Sequence, residues 1–278
     1  MYRVRHGEET WVRYLSPVRL ALLADIHGNS VALDAVLEDI RSRGGVDGYL
    51  FLGDLAAIGP DPIGVLERIT SLDGARFVRG NTDRYIATGE RPDWYKHDPT
   101  HTESDLHRID LGIANSLAWT QGVVTAAGWY DWIAALPSEL RIRLPDGTRL
   151  LAVHASPRQD DDPGLRPTAS DDELRELVSA VDADLVCAGH THRAMDRRLG
   201  PKLRVVNPGS LSNPLPSEPD IRAGYGLLEA RADGYTVELH RVDYDHDAFA
   251  ASLHRVHHPA ADFIAGLQRR PESPAADD

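Results

Sequence analysis

Short apolar runs alternate along the chain with segments whose apolar residues recur at helical spacing. Residues 18–24 predict the first strand, and Ser30 can cap a helix that continues to Gly44 and Gly45. Later apolar runs predict strands at residues 49–52, 76–79, 150–153, 185–188 and 203–206, with a short helix over residues 63–69. Strands that alternate with helices are typical of βαβ units, so the pattern predicts an α/β fold around a largely buried sheet.

Other segments depart from this alternation. Residues 224–229 and 235–242, joined by a turn that ends at Gly234, predict a closing hairpin. Residues 84–137 contain tryptophans and helical spacing without a strand signal, which predicts a helical insertion. We therefore expect one domain over residues 18–268, with an N-terminal extension (residues 1–17) and a disordered Pro- and Asp-rich tail (residues 269–278).

Composition narrows the classes of partner. The formal net charge of −13 argues against a wide basic groove for duplex nucleic acid. No apolar run approaches the roughly 20 residues that cross a bilayer, and the first 16 residues are polar, so we expect a cytoplasmic chain without a membrane partner. The single cysteine, Cys187, lies in an apolar run and is expected to be a buried structural thiol.

Polar side chains follow nearly every predicted strand. Because ligands of open α/β sheets gather at the carboxyl ends of strands, these residues are the candidate site. The candidates are Asp25, His27, Asp54, Asn81, His154, His190 and His192. Carboxylate, imidazole and amide oxygen together suit Mn²⁺, Fe, Zn²⁺ or Ni²⁺ rather than a thiolate site or an all-oxygen Mg²⁺ site.

Residue spacing supports convergence of these side chains. Strand side chains alternate with period two, so in an extended segment Asp25 and His27 point to the same side, as do His190 and His192. Three glycines beside the candidates leave room for the backbone to bend closely: Gly53, Gly80 and Gly189. The sequence therefore predicts one cluster of donors.

The ordered motifs carry a family resemblance. The motifs are Asp25-Ile-His27, Gly53-Asp54 with Gly59-Pro60, Gly80-Asn81-Thr82-Asp83, the strand-terminal His154, Gly189-His190-Thr191-His192 and Asn207-Pro208-Gly209-Ser210. In this order they resemble the calcineurin-like metallophosphoesterases, and particularly their small bacterial and archaeal phosphodiesterase-like branch. The resemblance implies a four-layer αββα sandwich of mixed β-sheets flanked by helices, with a dinuclear metal site at strand carboxyl ends.

The resemblance also implies roles for individual residues. It places Asp25, His27 and His192 on one ion, Asn81, His154 and His190 on the other, and Asp54 between them. The ions, with Mn²⁺ favoured for activity, would clamp a phosphoryl group and hold a bridging hydroxide that attacks phosphorus. The catalytic residues implied are Asp54, Asn81, Asp83 and His154.

One position departs from the family pattern. Phosphoprotein phosphatases of this family have a histidine after Gly-Asn as a proton donor, and this chain has Thr82. A threonine cannot donate a proton near neutral pH, so another group donates or the leaving group needs no acid. The candidate donors are Asp83, His97, His101 and His107, the last three in the insertion, which is expected to form a cap over the site or an oligomerisation patch.

The expected function is metal-dependent hydrolysis of a small phosphoester or nucleotide, with a phosphodiester favoured. Alternatives are a phosphomonoesterase or protein phosphatase and a non-catalytic scaffold with the same fold, and a homo-oligomer is possible. A haloacid-dehalogenase-like phosphatase would need an aspartate where His27 stands. The chain also lacks the GxGxxG motif of a nucleotide-binding Rossmann fold and the HxHxDH motif of a metallo-β-lactamase-like hydrolase.

Three further features receive weaker assignments. Asn29 is expected either to steady its loop or to contact substrate, and residues 207–210 are expected to form a turn that ends a strand. Residues 159–162 carry several charges and are expected to form a solvated loop.

Overall fold

The computed structural model describes residues 12–92, 96, 101–214 and 220–267. Its strands are β1 Val12–Arg13, β2 Val18–Leu23, β3 Gly48–Phe51, β4 Ala75–Phe77, β5 Glu139–Arg143, β6 Arg149–Val153, β7 Leu185–Cys187, β8 Met195–Arg198, β9 Arg204–Asn207, β10 Ala223–Arg231 and β11 Gly234–Val242. Its helices are α1 Ser30–Ser42, α2 Pro62–Ser71, α3 Asn81–Thr88, α4 Glu103–Ala126, α5 Tyr130–Ala134, α6 Asp171–Leu177, α7 His246–Arg255 and α8 Ala261–Leu267.

The strands form two mixed sheets. One sheet has the order β11-β10-β2-β3-β4, and the other has the order β1-β5-β6-β7-β9-β8. Strands β2, β3 and β4 run parallel, as do β6, β7 and β9, so the carboxyl ends of each group meet at one edge. The predicted hairpin is confirmed as β10 and β11, with Arg231 opposite Gly234.

Strand β2 shows why both faces of its sheet are buried. Leu20 and Leu22 point into the core between the two sheets, whereas Ala21 and Leu23 pack toward the helices on the outer face. On the far face of the second sheet, Leu151 packs with residues of α6. The layers are therefore helices, sheet, sheet and helix, which confirms the predicted four-layer α/β sandwich.

Helix α1 begins at Ser30, the predicted cap, and its true cap is one residue earlier. Asn29, rather than Ser30, is the N-cap, and its side chain accepts a hydrogen bond from the Ala32 backbone N–H at 2.9 Å. Helix α2 begins with Pro62 behind the N-cap Asp61. Both helices start with a residue type that satisfies their free N–H groups, so their starts are set locally.

The N-terminal extension forms a strand that the sequence did not predict, whereas the insertion is mainly helical as expected. Residues 12 and 13 form β1, which pairs in parallel with β5 and so joins the six-stranded sheet. The described part of residues 84–137 is helical, and its α4 is bonded to α3 and to the loop before α2. The tail from residue 269 and His97 lie outside the described residues. Among the described helices, none combines the length and apolar character needed to span a membrane.

Candidate metal centre

Five of the predicted ligand side chains form two overlapping groups at the carboxyl edge of the parallel strands. Asp25, His27 and His192 form one group, and Asp25, Asp54 and His154 form the other. Within each group the nitrogen and oxygen atoms lie within 4.8 Å of one another. All but His192, which is half-buried, are buried.

Asn81 joins His190, the remaining histidine, to this cluster. Its Oδ1 atom lies 2.9 Å from His154 Nε2 and 2.9 Å from His190 Nδ1. His154 Nε2 is also 3.4 Å from Asp54 Oδ1. The structure therefore brings all seven predicted ligands together, from both sheets.

The backbone at five of these positions is left-handed. The φ angles are 56° at Asp25, 51° at His27, 56° at Asp54, 66° at His190 and 56° at His192. Non-glycine residues rarely adopt this region, and such residues cluster at functional sites. The expected reason for convergence was therefore wrong, because these side chains meet through tight turns after the strands and not through strand alternation.

Backbone carbonyls fix the outward nitrogens of three histidines. His27 Nδ1 lies 2.5 Å from Ala57 O, His154 Nδ1 lies 2.7 Å from Leu52 O and His192 Nδ1 lies 2.6 Å from Asn213 O. Since a carbonyl can only accept, each Nδ1 carries a proton and donates it, so in the neutral form of each ring the Nε2 lone pair faces the cluster.

Two of these lone pairs face each other. His27 Nε2 and His192 Nε2 are 3.2 Å apart, and neither can donate to the other while both Nδ1 atoms hold their protons. A cation between them would satisfy both nitrogens. This feature, together with the carboxylate and amide oxygens around it, fits divalent metal ions with mixed nitrogen and oxygen ligands.

Burial and neighbouring charges set the protonation of the cluster. Burial lowers the pKa of His27 and of His190 to about 4, so both imidazoles are neutral at pH 7, as metal ligation requires. Burial opposes ionisation of Asp54, but His154 and His27 hold its pKa far below the ordinary value. Despite burial, the same carboxylate raises the pKa of His154 to about 10.

Asp83 is placed differently from the sequence expectation. Its Oδ2 atom accepts from the backbone N–H groups of Asp54 and Gly80, both at 2.9 Å, and its Oδ1 atom accepts from Leu55 N–H at 3.0 Å. The side chain is fully buried beneath the Asp54 loop. We therefore correct the predicted catalytic or acid role of Asp83, because its two oxygens are engaged with the backbone, and describe it as a positioning residue.

The three predicted glycines permit close approach of the turns. A Cβ atom at Gly80 would lie 2.1 Å from Asp54 Oδ1, and one at Gly53 would lie 2.6 Å from His154 Nδ1. A Cβ atom at Gly189 would lie 2.9 Å from Asp25 Oδ2. Each distance is too short for a side chain, so these positions require glycine.

Two asparagines steady the turns that carry the ligands. Asn29 is fully buried, and its Nδ2 donates to Ser212 Oγ at 3.1 Å while its Oδ1 caps α1. Asn207 Nδ2 donates to Gly189 O at 2.6 Å and to Thr191 Oγ1 at 3.0 Å. The expected turn at residues 207–210 thus has a further use, since it holds the segment that bears two histidines.

The charged run at residues 159–162 is not a solvated loop. Asp160 and Asp162 are buried, and Asp160 accepts from Arg84 at 3.0 Å and from Arg79 at 3.3 Å. A nitrogen of the His190 ring bonds the backbone carbonyl of Asp162. Sequence reasoning missed these residues, although Arg79 directly precedes the Gly80 motif and could have been noticed there.

Comparisons with known proteins agree with this geometry. The family model of the calcineurin-like phosphoesterase superfamily domain matches residues 18–233. A curated relative, an uncharacterized protein from Methanocaldococcus jannaschii, is 25% identical over 240 residues, which cover 81% of this chain and 88% of the relative.

Two solved structures share the fold. A metallophosphoesterase from Sphaerobacter thermophilus has a TM-score of 0.66 at 23% identity, and the match covers 91% of this chain and 99% of that one. A hypothetical protein from Pyrococcus horikoshii has a TM-score of 0.74 at 21% identity, and the match covers 92% of this chain and 100% of that one.

Proposed function

This chain belongs to the calcineurin-like phosphoesterase superfamily, a family of metal-dependent phosphoesterases, and on that premise we propose that it hydrolyses a small phosphodiester or nucleotide. The observation that carries the proposal is the convergence of seven nitrogen and oxygen donors on one edge of the fold, with two Nε2 lone pairs 3.2 Å apart. Mixed imidazole, carboxylate and amide ligands suit Mn²⁺, Fe, Zn²⁺ or Ni²⁺, and of these we propose Mn²⁺ as the ion that supports activity.

The donors divide between two ions in this proposal. Asp25, His27 and His192 would hold one, Asn81, His154 and His190 would hold the other, and Asp54 would contact both. Bound divalent ions supply Lewis-acid chemistry to water and to a phosphoryl oxygen.

The chain's own contribution is to hold the donors in place. Thr82 N–H donates to Asp54 Oδ1 at 2.9 Å, and Asp83 fixes the backbone on either side of that carboxylate. The carbonyl partners of the histidines fix each ring orientation. Such preorganisation keeps the donors aligned without reorganisation during reaction.

The preference for a good leaving group rests on the lack of a free acid in the two residues after Asn81. Thr82 offers no titratable proton, and Asp83 is engaged with three backbone N–H groups. Because general acid catalysis contributes roughly 10² to 10⁴ in rate, substrates that need it should react slowly. Activated aryl phosphodiesters should therefore be hydrolysed faster than phosphoserine peptides.

Metal analysis and a substrate panel test this function. We expect about two divalent ions per chain and turnover of aryl phosphodiesters in Mn²⁺. His192→Ala should lose metal and at least roughly 10²-fold in turnover, because it removes a donor, whereas His254→Ala, at an exposed position, should retain both. If the metal-loaded wild-type protein hydrolyses no ester in the panel, the proposed enzymatic function is refuted and the non-catalytic scaffold remains as the alternative.

A further inference from the structure

A polar pocket opens beside the metal centre. Its volume is about 450 Å³, and His154 belongs both to the donor cluster and to the pocket wall. Arg79, Arg84 and Arg158 line the same pocket. Glu139, Asp160 and Asp161 line it as well, so the attraction of this pocket for an anion depends on which arginines are already paired.

The three arginines differ in how far their charge is already neutralised. Arg84 contacts Glu90, Asp160 and Asp161, so three carboxylates satisfy it. Arg158 is about half exposed and bonds the backbone carbonyl of Glu176 at 2.9 Å. Arg84 therefore has little capacity for a further anion, whereas the exposed Arg158 is held by Glu176.

Arg79 differs from the other two arginines because part of its guanidinium is buried without a partner. Its one side-chain bond to a carboxylate is a 3.3 Å contact with Asp160, which already accepts from Arg84 at 2.8 Å. Within the part of the chain that the structure describes, Arg79 Nε is buried and has no hydrogen-bond partner. A buried donor without an acceptor is costly, so this guanidinium retains capacity for an incoming anion.

Position in the chain ties Arg79 to the centre. It is two residues before Asn81, which contacts His154 and His190, and the intervening Gly80 packs directly on Asp54. A substrate phosphoryl group held at the donor cluster would therefore extend one ester arm into the pocket. A guanidinium binds phosphate or carboxylate through two parallel N–H bonds, which gives orientation as well as attraction.

We propose that Arg79 binds a second anionic group, a phosphate or carboxylate, on the ester arm that occupies this pocket. The substrate class is then a phosphodiester that carries a further negative charge beyond the scissile phosphorus, and Arg79 determines that specificity. This inference rests on the proposed phosphodiesterase function, and it assigns Arg79 a binding role rather than a step in the reaction.

A matched pair of aryl phosphodiesters tests the role of Arg79. The two esters differ only in a carboxylate or a carboxamide on the arm. We expect wild-type protein to show a KM about tenfold lower for the carboxylate ester, in line with one charge-assisted hydrogen-bond pair at a partly exposed site. Arg79→Met should raise that KM about tenfold and leave kcat and the carboxamide kinetics unchanged, while Arg79→Lys should recover part of the preference.

Controls separate binding from folding. Arg41→Met changes an exposed arginine on α1, paired with Glu38, and should leave both esters unaffected. Asp160 keeps its bonds to Arg84 in the Arg79→Met variant, so the pocket wall should remain folded. Unchanged kinetics on the carboxamide ester check this in the same experiment.

Calorimetric binding of the corresponding unreactive phosphonates to the Mn²⁺-loaded protein separates the two proposals. If the carboxylate phosphonate binds wild-type protein about tenfold more tightly than the carboxamide phosphonate, and Arg79→Met abolishes this preference, then Arg79 recognises the anion. If no ester is hydrolysed in the same experiments, only the proposed phosphodiesterase function is refuted. Hydrolysis of both esters with no preference, or a preference that persists in Arg79→Met, would overturn the Arg79 inference and leave the phosphodiesterase standing.

Discussion

Asp83 offers the sharpest test of how the centre is built. Its carboxylate accepts three buried backbone N–H groups, two of them from Asp54 and Gly80 at Oδ2 and one from Leu55 at Oδ1. Asp83→Ala removes every acceptor. Asp83→Asn keeps one carbonyl oxygen, which can serve the two N–H groups at the Oδ2 position.

The structure gives an approximate cost for each change. Three unsatisfied N–H groups at about 1 to 2 kcal/mol each sum to roughly 3 to 6 kcal/mol for the alanine variant. Burial raises the pKa of Asp83 from 3.8 to about 6, so loss of the buried charge offsets about 3 kcal/mol of this sum. We expect Asp83→Ala to lower the free energy of unfolding by up to about 3 kcal/mol, or up to roughly 6 °C in melting temperature, and Asp83→Asn to lose less.

Thermal melting and kinetics on two leaving groups distinguish positioning from acid catalysis. A positioning residue should lower turnover equally for esters of good and poor leaving groups, with alanine worse than asparagine. Asp61→Asn is the control, because this half-exposed N-cap makes one bond to Gly64 N–H and asparagine caps equally well. Wild-type melting temperatures, combined with a loss of roughly 10²-fold confined to poor leaving groups, would refute the positioning role.

Two further predictions concern packing and pH. Gly80→Ala should lower metal content and activity, because the added Cβ would lie 2.1 Å from Asp54 Oδ1. Elemental analysis and turnover check this. The control Gly122→Ala, where no atom lies within 4 Å of the added Cβ, should retain both metal and activity. His258 is buried against Trp119, and burial lowers its pKa from 6.5 to about 4. The unfolded chain therefore takes up the proton first, and the free energy of unfolding should fall by up to about 3 kcal/mol as the pH drops from 6.5 to 4. Melting curves of wild type and His258→Phe across that range should converge at low pH, and parallel curves would contradict the assignment.

Much of the sandwich could be predicted because its strands are apolar runs that end at polar residues. The second predicted strand, residues 49–52, matches β3 Gly48–Phe51 within one residue. Both faces of such a strand are buried, so its hydrophobicity is visible without knowledge of its neighbours. The same pattern of apolar runs that end at polar residues identified the seven donors, since each donor follows the end of a strand.

Other elements depend on contacts between residues that are far apart in the sequence, and local sequence patterns do not indicate these contacts. Strand β8, Met195–Arg198, carries three charged residues and forms at the sheet edge because β9 pairs with it. Two of the three backbone partners of Asp83, and the arginine partners of Asp160, likewise lie 28 or more residues away. The left-handed turns at the donors are fixed by such long-range bonds, for example His27 N–H to Asp54 O at 2.9 Å.

The left-handed turns at five donors also bear on how this protein could change over evolutionary time. Each non-glycine residue in that region costs roughly 1 kcal/mol or more relative to glycine, so replacing His190 or Asp25 by glycine would relieve local strain. A lineage released from the need to hold metal would be free to accept such replacements. Glycine at several of these five positions in the sequence of a relative would therefore mark a chain that no longer holds metal at this edge.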